Sequence, residues 1–226
     1  MNSLYRAAAY AAFVILAGML IHNINAGYLE PTYLGFVDKA TDYGDMAKIQ
    51  NAIEACRLDA LQLCSFKYSG FAHMINGMLL MLLAVAVRQL FSASNPVAAE
   101  LAYVAGFVAG LGFLMTGVSD IPGTVYAGLL RGLNPEYNVD ILLMTTMIRG
   151  IANMIAITGL GWFAAFIGYA SVSSGIFSKW GARYGYVLLL PGLGGLISPI
   201  FGFMYIGLVI PWLIWLGIQF NKVSRA

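Results

Sequence analysis

Two histidines, one aspartate and one arginine stand within or at the ends of stretches otherwise too apolar to hold polar groups, and they are the residues of this chain best suited to chemistry. His22 closes the run AAAYAAFVILAGMLI, His73 and Asn76 lie near the start of a second apolar run, Asp120 ends a third, and Arg149 sits inside a fourth. Imidazole can bind a metal or haem iron, and a carboxylate can orient that imidazole or complete a metal site. His22, His73, Asn76, Asp120 and Arg149 are therefore the candidate ligand pocket, with His22 and His73 the candidate metal ligands. The competing role for the histidines is hydrogen bonding near a helix end, because they lack H-x-x-x-H spacing. No catalytic residue is assigned.

Arg149 needs a reason to be where it is. A charge near a bilayer centre costs from about 2.5 kcal/mol to more than 10, so such residues usually meet a partner or a water-filled cavity. Two readings are open. Residues 150–169 are enough to cross a bilayer alone, which would leave Arg149 at the outer interface; otherwise it is buried against a carboxylate, Asp120 or Asp140. Asp140 lies about 13 Å away along one helix, too far for an intrahelical pair, so Asp120, at the end of another segment, is the better partner.

Cys56 and Cys64 are the only cysteines, and both fall in the polar segment 27–67. An external, oxidising location would permit a disulfide between them. Eight residues of continuous helix separate two Cα atoms by about 12 Å, whereas a disulfide holds them within about 7 Å. Pairing therefore requires the helix to end between them, near Asp59; two packed thiols are the alternative. There is no C-x-x-C redox motif.

The elements that must position these residues are apolar helices. Hydrophobic residues make up 60% of the 226 positions and charged residues only 10%, well below the roughly 25% charge of soluble domains. With about 20 apolar residues needed per crossing, the expected architecture is an all-α polytopic transmembrane bundle of about six spans, forming a single domain over 1–226. The spans are expected near 4–24, 66–87, 96–118 and 140–169, with two shorter ones in 184–220. That last stretch is charge-free for 37 residues, and Gly192, Gly194, Gly195 and Pro199 place a turn near its middle; a re-entrant loop followed by one span is the alternative. Residues 119–139, with Pro122 and Pro135, are expected to be a loop carrying a short interfacial piece at 126–130. The N-terminal run is read as a first span doubling as insertion signal, since Ile24 suits a signal-peptidase site poorly. Ser94-Asn95-Pro96 supplies a helix start, and Ala102, Gly106 and Gly110 form a small-residue row that lets another helix approach.

Within 27–67, Met46, Ile49, Ile53, Cys56, Ala60 and Leu63 recur at spacings of three and four, the pattern of an amphipathic helix. If both termini are cytoplasmic, the inner segments carry Arg6, Arg88, Lys179, Arg183, Lys222 and Arg225 against Glu100 alone, while nine of the ten acidic residues are external. That bias follows the positive-inside rule and places 27–67 outside a bacterial inner membrane. Trp162, Trp180, Trp212 and Trp215 suit interfacial anchoring or an aromatic pocket equally. No basic patch or phosphate loop supports nucleic-acid binding or nucleotide chemistry.

The closing segments GIFSKWGARYGYVLLLPGLGGL and VIPWLIWLGIQF resemble the end of a family of uncharacterised bacterial six-span membrane proteins, in which a basic, Trp-containing turn precedes two Gly-rich spans. The resemblance implies the architecture and no activity. Three functions are carried forward. The first is a noncatalytic subunit or assembly partner of an inner-membrane complex or a homo-oligomer, with its external segment and small-residue helix faces making the protein contacts. The second is a membrane enzyme or carrier binding a haem, metal, quinone or lipid in an outer-leaflet polar pocket, with no cofactor required by the sequence. The third is a small transporter.

Overall fold

The computed structural model describes residues 2–24, 47, 65–133, 137–194, 196–197 and 199–226, with the side chains at 65–68, 121–133, 137–143, 145–146, 199–200 and 202–203 excepted. Cys56, Cys64, Asn25 and nearly all of the amphipathic segment lie outside the described residues, as does the side chain of Asp140. Among the described residues the regular structure is entirely helical: α1 (Asn2–Ile24), α2 (Ser65–Phe91), α3 (Pro96–Leu133), α4 (Tyr137–Ser174), α5 (Lys179–Gly194) and α6 (Pro199–Arg225).

Five of these contain segments long and apolar enough to cross a membrane: 2–24, 69–91, 96–120, 147–174 and 204–225. The sixth, α5, has 16 residues, about 24 Å at 1.5 Å per residue against a hydrocarbon core of about 30 Å. The turn expected in the glycine-rich stretch falls at Leu196 and Ile197, whose amides bond back to Leu193 and Gly194 at 3.1 and 2.9 Å. The expected loop at 119–139 is corrected. Helix α3 continues through Pro122 to Leu133 and α4 already begins at Tyr137, so the two prolines do not delimit a 21-residue loop, as their turn propensity had suggested. Both helices have 38 residues, about 57 Å, and extend well past their span-length segments at the same end.

Each helix packs against its neighbours in sequence, and α6 closes on α1, giving a ring of six. Neighbours run antiparallel, as paired positions show: Gly77 faces Gly110 and Leu114, while Gly106 faces Ala84. The small-residue row of α3 thus faces α2. Gly112 and Gly159 do the same for α3 and α4. A Cβ on Gly112 would lie 2.6 Å from the Ala156 nitrogen and 2.8 Å from the Ala152 oxygen, so the backbones touch where glycine permits it.

The loop ends are conventional. Asn95 caps α3, its Oδ1 accepting from the Ala98 amide at 3.2 Å, with Pro96 at the first helical position. Gly175, at φ 72°, ends α4 in the left-handed conformation, its amide donating to the Ser171 carbonyl at 2.9 Å. Phe177 in that turn is buried and meets Phe91, Trp215 and Phe220 edge-on at 5.3 to 5.6 Å, sealing the end of the ring where both termini lie. Trp212 is not an interfacial anchor. It is 1% exposed and packs edge-on against Phe163.

Candidate functional site

At the opposite end of the ring the helices carry polar side chains inward. His22 is in the last turn of α1, and antiparallel pairing sets it beside Ser69 and His73 of α2. Its Nδ1 is 2.9 Å from Ser69 Oγ, and the two imidazole rings lie 4.3 Å apart, centroid to centroid, tilted by 52°. His73 Nδ1 is 3.4 Å from Asp120 Oδ2. Asp120 Oδ1 is 2.7 Å from Arg149 Nε, with the Asp120 side chain buried and that of Arg149 31% exposed. Four helices thus contribute to one chain of contacts: Ser69, His22, His73, Asp120 and Arg149. Phe113 stacks on His73 at 5.8 Å, about two turns before Asp120 on α3.

The partner of Arg149 is Asp120, the carboxylate preferred over Asp140 from the sequence. Arg149 is at the edge of the bundle, with its guanidinium turned inward onto a buried carboxylate. Thr116 and Ser119, also polar and nearby, bond instead to their own helix, at the carbonyls of Gly112 and Met115, 2.9 and 2.8 Å away.

Beside this chain lies a cavity of about 70 Å³ lined by His22, His73, Asn76, Asn153, Tyr205 and Met19, with Phe113, Ile157 and Val209 among its apolar walls. Asn76 and Tyr205 are 1% and 2% exposed. Among the described residues the Asn76 Oδ1 atom and the Tyr205 hydroxyl find no hydrogen-bonding partner. Trp212 Nε1 is likewise unpartnered, but Trp212 does not line the cavity. Gly18 sits against Asn76: a Cβ there would come 2.5 Å from Asn76 Oδ1, so the absence of a side chain on α1 makes room for the amide.

All five residues singled out from the sequence therefore gather at one end of the bundle. His22, His73 and Asn76 line the cavity; Asp120 and Arg149 stand behind His73. Ser69, Tyr205, Met19, Gly18 and Asn153 were not singled out as site residues. Ser69 was legible in principle, being one turn before His73 on the same helix face, whereas Tyr205 and Gly18 reach the site only through the ring closure of α6 on α1 and α1 on α2.

Among the described residues no group of three or more His, Cys, Asp or Glu side chains is arranged to hold a metal ion. The cavity also bears on cofactor size. Among the described residues its volume, about 70 Å³, is below the approximately 300 Å³ at which pockets for larger organic ligands begin.

Comparison of the chain with protein-family models, with curated proteins and with solved structures returns no match. The functional reading rests on the geometry.

Proposed function

We propose that the protein is a multi-pass membrane protein that binds a small polar species in the cavity between α1, α2, α4 and α6. The observation that carries this is the pair of unpartnered groups, Asn76 Oδ1 and the Tyr205 hydroxyl, on the wall shared with His22 and His73. A buried polar atom without a partner costs roughly 1 to 3 kcal/mol. Two of them on one small cavity are relieved together by one occupant that offers a donor to the amide oxygen and either role to the phenol. The size of the cavity favours an ion or a molecule of a few atoms over haem, quinone or lipid.

The charge bias supports a membrane orientation in which both termini are cytoplasmic and the cavity lies in the outer half of a bacterial inner membrane. In that orientation α5 completes a sixth crossing, helped by its close packing along α4, where Gly161 meets Leu188 and Gly192. The expectation of a complex subunit rested on the external segment, which lies almost wholly outside the described residues, and on small-residue helix faces, of which Gly106, Gly110 and Gly112 pack against neighbouring helices of this chain. That of a transporter draws no support from the middle of the ring, where Ile15, Leu80, Leu83, Leu160 and Leu213 are buried.

The reading is tested by native mass spectrometry of the full chain extracted in mild detergent. A small adduct is expected on the wild type and should be lost from Asn76→Leu and from Tyr205→Phe. Bare chain mass in the wild type, or an adduct indifferent to both substitutions, overturns the proposal.

A further inference from the structure

The outer surface of the ring carries a groove unrelated to the cavity. Helices α3 and α5 both pack on α4, and between them α4 floors two adjoining apolar recesses of about 430 and 330 Å³ that share Leu101, Trp162 and Phe166. Each volume falls within the roughly 300 to 1,000 Å³ of small-molecule sites. Small residues give the depth: Ala98 and Ala105 on α3, with Gly159 and Ala165 on α4, leave space that larger side chains would fill. Trp162 is unusual for a lipid-facing surface. It stands near the middle of the segment Met147–Ser174, whereas tryptophans that anchor a protein in a bilayer sit at the two interfaces. It is 39% exposed and stacked on Phe166 at 5.4 Å, which makes a flat aromatic floor. The groove runs from Ile155 to Tyr169 along α4 and from Val97 to Val108 along α3, about 21 and 17 Å at 1.5 Å per residue. One leaflet of a hydrocarbon core of about 30 Å is about 15 Å deep, so the groove has the length of one acyl chain.

Charge identifies the headgroup end. Val97, Tyr169 and Tyr186 line the groove at the end of the ring where both termini lie. On α5, Arg183 is three residues before Tyr186 and Lys179 four before Arg183, so both fall on the helix face that borders the groove. Both are exposed, and among the described residues neither joins an ion pair. Glu100, the acid at that end, is already held by Arg88 at 2.7 Å. The mouth is therefore net positive, with two phenols at the level where tyrosine meets lipid headgroups. Basic clusters between spans on the cytoplasmic side suit acidic headgroups. A second copy of the chain fits the mouth less well, because in one membrane it would be oriented alike and would bring basic residues to basic residues. We propose that the groove between α3, α4 and α5 binds an acidic diacyl phospholipid, with one acyl chain on Trp162 and Phe166 and the phosphate at Lys179 and Arg183.

This site is independent of the cavity and is tested apart from it. The delipidated full chain in mild detergent is titrated with dioleoyl phosphatidylglycerol and, separately, with dioleoyl phosphatidylcholine, and bound lipid is counted by native mass spectrometry. One phosphatidylglycerol per chain should be retained in preference to phosphatidylcholine. Lys179→Gln/Arg183→Gln should bind it about thirtyfold more weakly, as the removal of two basic groups beside a lipid headgroup implies, and should lose the preference between headgroups. Leu101→Trp and Val104→Trp put bulk into the groove at positions 45% and 56% exposed; both should keep the wild-type melting temperature and lose the tightly held phosphatidylglycerol. Equal retention of the two lipids by the wild type overturns the proposal, as does wild-type affinity in the charge variant or in either groove variant. A dimer that survives delipidation and is broken by Leu101→Trp would give the groove to a second copy and overturns it as well.

Discussion

Arg149 and Asp120 show what a charge in an apolar run requires. The guanidinium is 31% exposed and the carboxylate is buried, so the pair is asymmetric: the aspartate depends on the arginine more than the reverse. Removing one partner of a buried pair is costly because the other charge stays desolvated, while neutralising both together is far milder. Arg149→Gln should therefore destabilise by about 2 kcal/mol, less than a fully buried pair would lose. The double variant Asp120→Asn/Arg149→Gln should recover at least about 1 kcal/mol relative to additivity. Melting of the four proteins in one detergent measures the cycle; strict additivity would mean the contact contributes nothing. The types of both residues and the exclusion of Asp140 as an intrahelical partner could be read from the chain. Which of the two open roles Arg149 takes depended on how α3 and α4 are aligned, and that alignment is a property of their packing.

Small residues govern the helices as elements. The row Ala102, Gly106 and Gly110 was visible from its four-residue period, and Gly106 and Gly110 do abut α2. A second close contact sets Gly112 against Ala152 and Ala156 of α4. Because a Cβ on Gly112 would meet backbone atoms at 2.6 to 2.8 Å, no rotamer change can relieve it. Gly112→Val should cost about 2 kcal/mol, as overpacked cores do, seen as a lower melting temperature or loss of a monodisperse species. Gly150 provides the contrast, because a Cβ added there would have nothing within 4 Å. Gly150→Ala should be neutral or stabilise by up to about 1 kcal/mol, since alanine suits a helix interior better. Pro122 misled in the opposite direction: it signals a turn locally, yet α3 carries on to Leu133. A turn propensity is a local signal, and at this proline the helix overrides it.

At the scale of the whole molecule, the six helices of the described residues form a closed antiparallel ring with an aromatic plug at one end and a polar cavity at the other. The orientation of that ring in a membrane is an inference from charge, and it is directly testable. A reporter active only in the cytoplasm should be active when fused at residue 94 or after residue 226, and inactive when fused at residue 135; the reverse pattern would invert the topology and put the cavity in the inner leaflet. Composition and hydropathy sufficed for the helical class, for span-length segments and for the polar residues worth watching, because burial of apolar side chains is a local, periodic signal. They could not supply Ser69, Tyr205, Gly18 or Met19 as neighbours of His22 and His73. A cavity is made by side chains from helices far apart in the chain, and its volume and unpartnered atoms exist only once α6 has closed against α1.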